Sequence, residues 1–333
     1  MKGFICGNLE NTVARVIPQS RMDRIAGLTE LVSREVIGLH NIEEHKERLQ
    51  DVEIMWCTWG MDEFTGEQVR RYFPRLKALF YCAGSVKHFS RPFLENGVRV
   101  FSGWGANAVP VSEFTLSVIL LATKGSFRAI TGTRWNFDGV RDYCSRHHGA
   151  YHASVGLIGL GMIGSLTAEK LKHSDVDVFA YDPFIRDEKA EKLGVKRVDL
   201  DTIFTQCDVI SNHLADNEKT RGMLDYRLFS KMKPYATFVN TARGAQVVEK
   251  DLARALREVK TRAAFLDVTI REPVSIFNPL YWRRNVIMTP HIAGSLGNEC
   301  LRMTDYMIED FLRFSKNQPC LYEVTLKMLE TLA

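Results

Sequence analysis

A glycine-rich segment directly after an apolar strand pattern carries the clearest chemical signal in the chain. Gly159, Gly161 and Gly164 form the pattern G-x-G-x-x-G at the start of a predicted helix. The first glycine permits a tight turn, the second lets the backbone approach a pyrophosphate, and the third allows a helix to pack closely on the strand. The backbone amides of Met162 and Ile163 would then face phosphates at the positive end of the helix dipole.

An acidic residue further along the chain strengthens this interpretation. Asp182 follows the predicted strand Asp177–Tyr181, eighteen residues after Gly164, where an acid can hold the ribose hydroxyls of adenosine. The same aspartate could instead make an Asx turn before Pro183. Together the two features predict a bound dinucleotide. The negative charge of Asp182 favours NAD over NADP, although Arg186 lies close enough in sequence to weaken that preference.

Charged side chains are concentrated in three later segments, each of which follows an apolar strand pattern. The segments are Asn240–Gly244, Asp267–Pro273 and Thr289–Gly294. A parallel sheet binds its ligands beyond the carboxyl ends of its strands, where such segments would lie. Taken singly, Arg243 could cap a helix, Glu272 could be a surface acid, and His291 could be a buried histidine with satisfied hydrogen bonds.

The glycine motif, the acid and the three charged segments occur in an order that resembles the D-isomer-specific 2-hydroxyacid dehydrogenase family. The resemblance implies an NAD-dependent oxidoreductase that moves a hydride between the nicotinamide and a small 2-hydroxy acid or 2-keto acid. It implies that Arg243 binds the substrate's carboxylate and carbonyl, and a guanidinium suits this role because it offers paired donors. It also implies that His291 is the acid–base group, Glu272 its carboxylate partner, and Asp267 an acid near the nicotinamide carboxamide.

The resemblance implies further binding residues in both halves of the chain. Additional cofactor contacts are expected at His213, Thr241 and Ala242. The backbone amides of Gly84 and Ser85 would hold the substrate carboxylate. Asn107 would lie near the cleft, or it could serve only as a helix cap.

The sequence departs from the family pattern around the substrate pocket. Ala215 stands where a proline is usual, and Thr269–Arg271 replace a commoner aromatic and acidic stretch. The loop that contains Trp59 has no arginine where phosphoglycerate dehydrogenases place one for the phosphate. A phosphorylated substrate is therefore disfavoured, unless Lys87 or Arg91 replaces that arginine.

Two other functions are compatible with parts of the pattern. A corepressor-like binding protein of the same fold would bind NAD(H) as a signal for partner association and catalyse no reaction. A formate dehydrogenase pairs its histidine with glutamine, so Glu272 argues against that activity. The group Cys144, His147, His148 and His152 matches no familiar zinc spacing and is interpreted as a solvated loop, so no metal is expected.

The composition is that of a soluble globular protein, with 45% apolar and 25% charged residues. The net charge of +4 is spread along the chain without a basic stripe, which argues against a nucleic-acid partner. Seven widely spaced cysteines, an odd number, favour reduced thiols and a cytoplasmic location. We expect no secretory signal, because the apolar stretch in the N-terminal sequence MKGFICGN is too short. We also expect no membrane segment, because the longest apolar helix pattern, Phe114–Thr123, is too short to span a bilayer.

Short apolar runs alternate with helical patterns such as Gly66–Tyr72, which predicts an α/β protein built on parallel sheets. The first series of strands is predicted at Gly3–Cys6, Val52–Cys57, Lys77–Cys82 and Val98–Phe101. The second is predicted at Ser154–Ile158, Asp177–Tyr181, Asp208–Asn212, Thr237–Asn240, Ala263–Asp267 and Val286–Met288. The expected architecture is two doubly wound domains, a flavodoxin-like substrate domain and a Rossmann NAD-binding domain, with the active site in the cleft between them.

The domain boundaries follow from an apolar helix predicted at Val109–Ala122, with Pro110 in its first turn. The substrate domain should comprise residues 1–106 and 297–333, and the NAD-binding domain residues 107–296. A second helical pattern, Asn298–Phe314, would return the chain to the first domain. The apolar helix has apolar residues on more than one face, and the family forms dimers largely through it, so a homodimer is expected.

Overall fold

A computed structural model describes residues 1–8 and 10–330. The chain folds into two compact units. The first unit comprises Met1–Asn107 and Ser295–Ala333, and the second comprises Ala108–Gly294. The boundaries expected after residue 106 and before residue 297 lie one and two residues from these divisions.

The bounds of the regular elements are as follows. The strands are β1 (Lys2–Cys6), β2 (Glu30–Ile37), β3 (Ile54–Cys57), β4 (Ala78–Tyr81), β5 (Arg99–Ser102), β6 (Ala153–Ile158), β7 (Val176–Tyr181), β8 (Lys196–Arg197), β9 (Val209–Asn212), β10 (Thr237–Asn240), β11 (Ala263–Leu266), β12 (Val286–Met288) and β13 (Glu323–Val324). The α-helices are α1 (Glu10–Val16), α2 (Gln19–Leu28), α3 (Ile42–Leu49), α4 (Gly66–Tyr72), α5 (Arg91–Glu95), α6 (Trp104–Ala122), α7 (Ser126–Gly132), α8 (Phe137–Ser145), α9 (Met162–Leu171), α10 (Asp187–Leu193), α11 (Leu200–Gln206), α12 (Tyr226–Phe229), α13 (Glu249–Glu258) and α14 (Glu299–Ser315).

The sheet of the first unit has the order β13-β5-β4-β3-β1-β2. Strands β1 to β5 run parallel in the flavodoxin-like order. Strand β13 pairs antiparallel with β5 at the edge of the sheet. Strands β3 and β4 are buried along their whole length, as central parallel strands must be when helices cover both faces. The core includes Trp56, whose ring lies 5.0 Å from that of Phe80 and 5.3 Å from that of Phe311 on α14.

The sheet of the second unit has the order β12-β11-β10-β9-β6-β7-β8, and every pairing is parallel. This is the Rossmann order with one further strand, β12, at the edge. The order changes direction between β6 and β9, which is the switch point at which such sheets bind ligands. The predicted α/β class and both doubly wound sheets are confirmed.

Three strands were not predicted, and each lies at the edge of its sheet. Strand β2 buries only Val36 and Ile37 among its eight residues, so it has no apolar pattern to detect. Strands β8 and β13 have two residues each. Edge strands pair on one side and face solvent on the other, which removes the apolar run that identifies a central strand.

Helix α6 differs from its prediction. It begins at Trp104 instead of Val109, so Pro110 lies inside the helix and not in its first turn. The proline removes one main-chain hydrogen bond, and the buried side chains of Val111 and Ile119 help to keep the helix intact. With 19 residues it is longer than the apolar stretch expected from the sequence, and it has the length and hydropathy of a membrane span. However, 56% of the window concerned is buried inside the protein, as in the core helix of a globular fold.

Candidate active site

The glycine loop connects β6 to α9 and has the backbone that its residue types predict. Gly159 has a φ of +94°, and a Cβ there would lie 2.8 Å from the carbonyl oxygen of His213. A Cβ on Gly164 would lie 2.1 Å from the carbonyl oxygen of Gly159. Neither position can hold a side chain without moving the backbone, so these two glycines make the tight turn and the close helix packing.

The second glycine of the motif faces open space. No atom lies within 4 Å of a Cβ built on Gly161, which precedes the first helical residue, Met162. No side chain caps this end of α9, so the first amides of the helix, including those of Met162 and Ile163, lack intrahelical acceptors. Open space in front of free amides at a helix N-terminus fits the pyrophosphate of a dinucleotide.

Asp182 makes the Asx turn that the sequence offered as one of its two roles, and it also contacts the glycine loop. Its Oδ1 accepts a hydrogen bond from the amide of Phe184 at 2.8 Å, which is an Asx turn. Its Oδ2 accepts from the amide of Leu160, inside the glycine motif, at 2.7 Å. Each carboxylate oxygen can accept a second hydrogen bond, which leaves capacity for the ribose hydroxyls. The ammonium of Lys189 donates to the carbonyl of Leu160 at 3.2 Å, so a cation that sequence reasoning missed also holds this loop.

His213 lies at the switch point, directly after β9. Its Nε2 shares a hydrogen bond with the hydroxyl of Ser211 at 3.0 Å. Its Nδ1 is enclosed and has no partner among the described residues. Burial lowers the pKa of His213 to about 4, so the imidazole is neutral at physiological pH. A neutral ring with one unpartnered nitrogen beside the glycine loop fits the expected contact with a cofactor.

A network of buried amide side chains positions the segment after β10. The side-chain amide of Asn212 donates to Oδ1 of Asn240 at 3.1 Å and to Oε1 of Gln246 at 2.7 Å. Asn240 in turn accepts from the amide of Ala242 at 3.1 Å and donates to the carbonyl of Arg243 at 3.0 Å. Sequence reasoning did not identify Asn212 or Gln246, because single amide side chains have no characteristic spacing.

Arg243 is half-buried, and its guanidinium donates to the carbonyl of Ala242 at 2.7 Å. Burial lowers the pKa of Arg243, and the charges of Asp216 and Glu272 oppose that effect. A partly desolvated arginine is suited to bind the carboxylate of a ligand.

The neighbouring Thr241 is buried, and its hydroxyl shares a hydrogen bond with that of Thr115 on α6 at 2.8 Å.

Gly244 brings the segment that contains Arg243 against the segment that follows β11. A Cβ on Gly244 would lie 2.0 Å from the carbonyl carbon of Thr269. Only glycine therefore permits the segments after β10 and β11 to approach so closely.

Asp267 is buried at the end of β11 and holds the histidine segment. Its Oδ1 accepts from the hydroxyl of Thr289 at 2.6 Å and from the amide of Ile292 at 2.9 Å. Its Oδ2 accepts from the amide of Ala293 at 2.9 Å. The backbone amide of His291 donates to the carbonyl of Asp267 at 3.0 Å. This geometry positions His291, a role that the expected nicotinamide contact did not include.

Glu272 and His291 form the hydrogen-bonded pair that the sequence predicts. Nδ1 of His291 donates to Oε2 of Glu272 at 2.7 Å, while Oε1 of Glu272 accepts from the amide of Thr269 at 3.2 Å. Both side chains are partly exposed, 49% for the histidine and 41% for the glutamate. His291 has a φ of +55°, a backbone conformation that costs about 1–3 kcal/mol and recurs at functional sites. The pair leaves Nε2 of His291 free to exchange a proton with a ligand.

The predicted substrate residues Gly84, Ser85 and Asn107 lie in the first unit. A Cβ on Gly84 would lie 3.5 Å from Nδ2 of Asn107, so the loop and the helix side chain are in contact range. Oδ1 of Asn107 accepts from the amide of Ser295 at 2.9 Å. Because α6 begins at Trp104, Asn107 lies inside the helix and is not its cap. Substrate binding by Gly84, Ser85 and Asn107 stays a prediction.

The loop around Trp59 contains no arginine, but the structure supplies one from elsewhere. The guanidinium of Arg15 on α1 lies over the Trp59 ring, 5.2 Å from its centroid. This cation was missed because the two residues are far apart in sequence. Among the described residues, no three His, Cys, Asp or Glu side chains are placed to hold a metal ion.

Comparison with known proteins agrees with this geometry. Residues 121–293 match the family model described as the NAD binding domain of D-isomer specific 2-hydroxyacid dehydrogenases. This match covers the glycine loop, Arg243, Glu272 and His291, and it confirms NAD as the predicted cofactor.

Two curated relatives and one solved structure extend the similarity. The D-3-phosphoglycerate dehydrogenase of Archaeoglobus fulgidus is 34% identical over 71% of this chain, and that of Methanocaldococcus jannaschii is 31% identical over 82%. The aligned regions span 44% and 52% of those relatives' own lengths. The D-mandelate dehydrogenase of Rhodotorula graminis has the same fold, with a TM-score of 0.77 and 22% identity over 97% of each chain. The chain belongs to the D-isomer-specific 2-hydroxyacid dehydrogenase family.

Proposed function

We propose that the chain catalyses the NAD-dependent interconversion of a small 2-hydroxy acid and its 2-keto acid, with specificity for the D isomer. The observation that carries this proposal is the hydrogen bond of 2.7 Å between His291 and Glu272. Arg243, Glu272 and His291 follow the adjacent parallel strands β10, β11 and β12. The acid–base pair and the anion-binding arginine therefore lie at one edge of one sheet.

Each side chain has a task that its environment supports. Arg243 holds the substrate carboxylate and stabilises negative charge that develops on the carbonyl oxygen during reduction. When bound, NADH supplies the hydride that reduces the carbonyl carbon. His291 donates a proton from Nε2 to the carbonyl oxygen, and Glu272 accepts the hydrogen bond of Nδ1 and so orients the ring for this transfer. In the oxidative direction the neutral His291 removes the hydroxyl proton.

Hydrogen bonds to the backbone help to fix the positions of these groups. The backbone of His291 is held by Asp267, and that of Arg243 is held by Asn240 and Gln246. Fixed donors and acceptors reduce the reorganisation that charge development requires, which is the main electrostatic advantage of an enzyme site.

We further propose that the substrate is not phosphorylated. The absence of an arginine in the Trp59 loop supports this. We also propose a cytoplasmic homodimer. All seven cysteines are free, which suits a reducing compartment. The exposed side chains of Ile130, Trp135 and Phe137 supply apolar surface for a second copy.

A panel of 2-keto acids that varies in chain length and phosphorylation, assayed with NADH by loss of absorbance, tests the proposal. We expect robust turnover of at least one small unphosphorylated acid and none with Arg243→Gln. NADH binding without turnover of any acid would contradict catalysis and favour the corepressor-like alternative. Preference for a phosphorylated acid would contradict the proposed substrate class alone.

A further inference from the structure

A groove between α13 and the segment that precedes β12 lies outside the site described above. Its volume is about 520 Å³, within the roughly 300–1,000 Å³ of small-molecule sites. Its lining includes four cations, Lys250, Arg254, Arg257 and Arg283, which we call the basic groove. Lys250, Arg254 and Arg257 are spaced at i, i+4 and i+7, so they share one face of α13.

The positive charge of the basic groove is only partly balanced. Arg254 pairs with Glu258 at 3.0 Å and lies over the ring of Tyr226. Lys250, Arg257 and Arg283 have no carboxylate within 4.0 Å among the described residues. The acid that lines the groove, Asp251, accepts a hydrogen bond from the amide of Tyr226 at 3.1 Å. Three cations therefore line one groove without an ion pair.

Arg283 is held in an unfavourable environment for a cation. It is half-buried, and its Nε is enclosed without an acceptor among the described residues. Burial lowers the pKa of Arg283, and the charge of Arg257 lowers it further. An anion in the groove would reduce the repulsion between the guanidinium groups of Arg257 and Arg283.

The two walls of the basic groove are tied together at both ends. Glu249, at the start of α13, accepts from the amide of Ile270 at 2.8 Å and from the side-chain amide of Asn278 at 2.6 Å. The side-chain amide of Asn285 donates to the carbonyls of Leu256 and Arg262 at 3.1 and 2.8 Å. The cations are therefore kept together by the fold, and the groove exists before any ligand binds.

We propose that the basic groove binds a small molecule that carries two or more phosphate groups. Lys250 and Arg257 are separated by about 10 Å along the helix axis at 1.5 Å per residue, so the cations can contact more than one phosphate group along this face. Guanidinium groups bind phosphate oxygens in pairs, and three of the four cations are arginines. The ligand would act at a site separate from the glycine loop and from Arg243, so this inference does not depend on the proposed catalysis.

Calorimetric titration with tripolyphosphate tests the proposal, with saturating NADH present so that the glycine loop is occupied. We expect saturable binding to the native protein and at least tenfold weaker binding to the variant Lys250→Gln/Arg257→Gln. Both replaced side chains are exposed, so the fold should tolerate the change. A matched control, Lys260→Gln/Arg284→Gln, removes two exposed cations outside the groove and should change the affinity less than twofold.

Arg283→Gln provides a second variant, with thermal unfolding as the check that it folds, and it should also weaken binding at least tenfold. The proposal would be overturned by absent binding to the native protein. Equal affinity of the native protein and the groove variants would also overturn it. So would inorganic phosphate binding as tightly as tripolyphosphate, because a single phosphate would then satisfy the site.

Discussion

Nδ1 of His291 donates a hydrogen bond to Oε2 of Glu272 across 2.7 Å. The carboxylate holds the ring in one orientation and leaves Nε2 to the ligand. This geometry bears on both directions of the proposed reaction, because Nε2 gives a proton to the carbonyl oxygen in reduction and takes one from the hydroxyl in oxidation.

Glu272→Gln removes the charge and keeps the shape of the side chain. The values of kcat/KM for keto-acid reduction and for hydroxy-acid oxidation should both fall about tenfold or more, because a neutral amide accepts a weaker hydrogen bond from Nδ1 than a carboxylate does. Glu218→Gln, an exposed change in the same unit, is the control. Unchanged rates in both directions would show that Glu272 does not act through His291. Removal of the imidazole should lower both rates by on the order of 10² or more.

Asp182→Asn tests the basis of cofactor preference. The native protein should favour NADH over NADPH, because a 2′-phosphate would place negative charge beside the Asp182 carboxylate. The variant keeps an oxygen acceptor for Leu160 or Phe184 and removes the charge, so the ratio of NADPH to NADH affinity should rise about tenfold or more. Fluorescence titration with each dinucleotide measures the two affinities and hence their ratio. Asp187→Asn, on the adjoining helix α10, should leave the ratio unchanged. A native preference for NADPH would refute the assignment.

His213 should make the stability of the protein depend on pH in the acid range. Burial lowers its pKa from the ordinary 6.5 to about 4 in the folded state. Between these values the unfolded chain binds a proton that the folded chain does not, so stability falls as the pH decreases from 6.5 to 4. The loss is at most about 3 kcal/mol.

His213→Gln should reduce this dependence, measured as the difference in free energy of unfolding by urea at pH 7 and pH 4.5. His173→Gln replaces an exposed histidine of the same unit and should leave the difference as in the native protein. An equal pH dependence in the native protein and the His213 variant would exclude His213 as its source.

The sequence predicts a dimer through α6, but the exposed apolar side chains that we assign to the interface lie in the α7–α8 segment. Apolar side chains on several faces of α6, such as Val118, Ile119 and Ala122, are buried within the chain itself. On α6 Leu121 is 44% exposed, and the α7–α8 segment exposes larger apolar side chains, Trp135 at 88% and Phe137 at 59%. Light scattering of the native protein should give about twice 38.0 kDa.

Trp135→Ser/Phe137→Ser should shift the mass of the particle toward the monomer at micromolar concentration. Phe277→Ser, which replaces another side chain with 89% exposure, should not. A native monomer at all concentrations would contradict the dimer, and a variant that stays dimeric would place the interface elsewhere.

The sequence predicted features with regular spacing and missed those that depend on distant partners. The glycine motif and Asp182 have a fixed order, and central strands such as β3 have continuous apolar runs, so they could be located. The hydrogen bond between Thr115 and Thr241 joins hydroxyls 126 positions apart, and nothing local marks either residue. The start of α6 was missed because a proline such as Pro110 is typical of the first turn of a helix. In the structure, burial of the surrounding side chains outweighs the hydrogen bond that the proline removes.

The left-handed backbone at His291 places two separate requirements on this position. One concerns the imidazole and the other the φ of +55°, which the small residues glycine, asparagine and aspartate adopt readily, as histidine does. In an experiment, His291→Asn therefore removes the proton-transfer group with less disturbance of the main chain than an alanine would cause. In evolution, a descendant that lost the chemistry while keeping the fold should retain one of these small residues at the position. The residue type at this position would then still indicate the former active site after the histidine had been replaced.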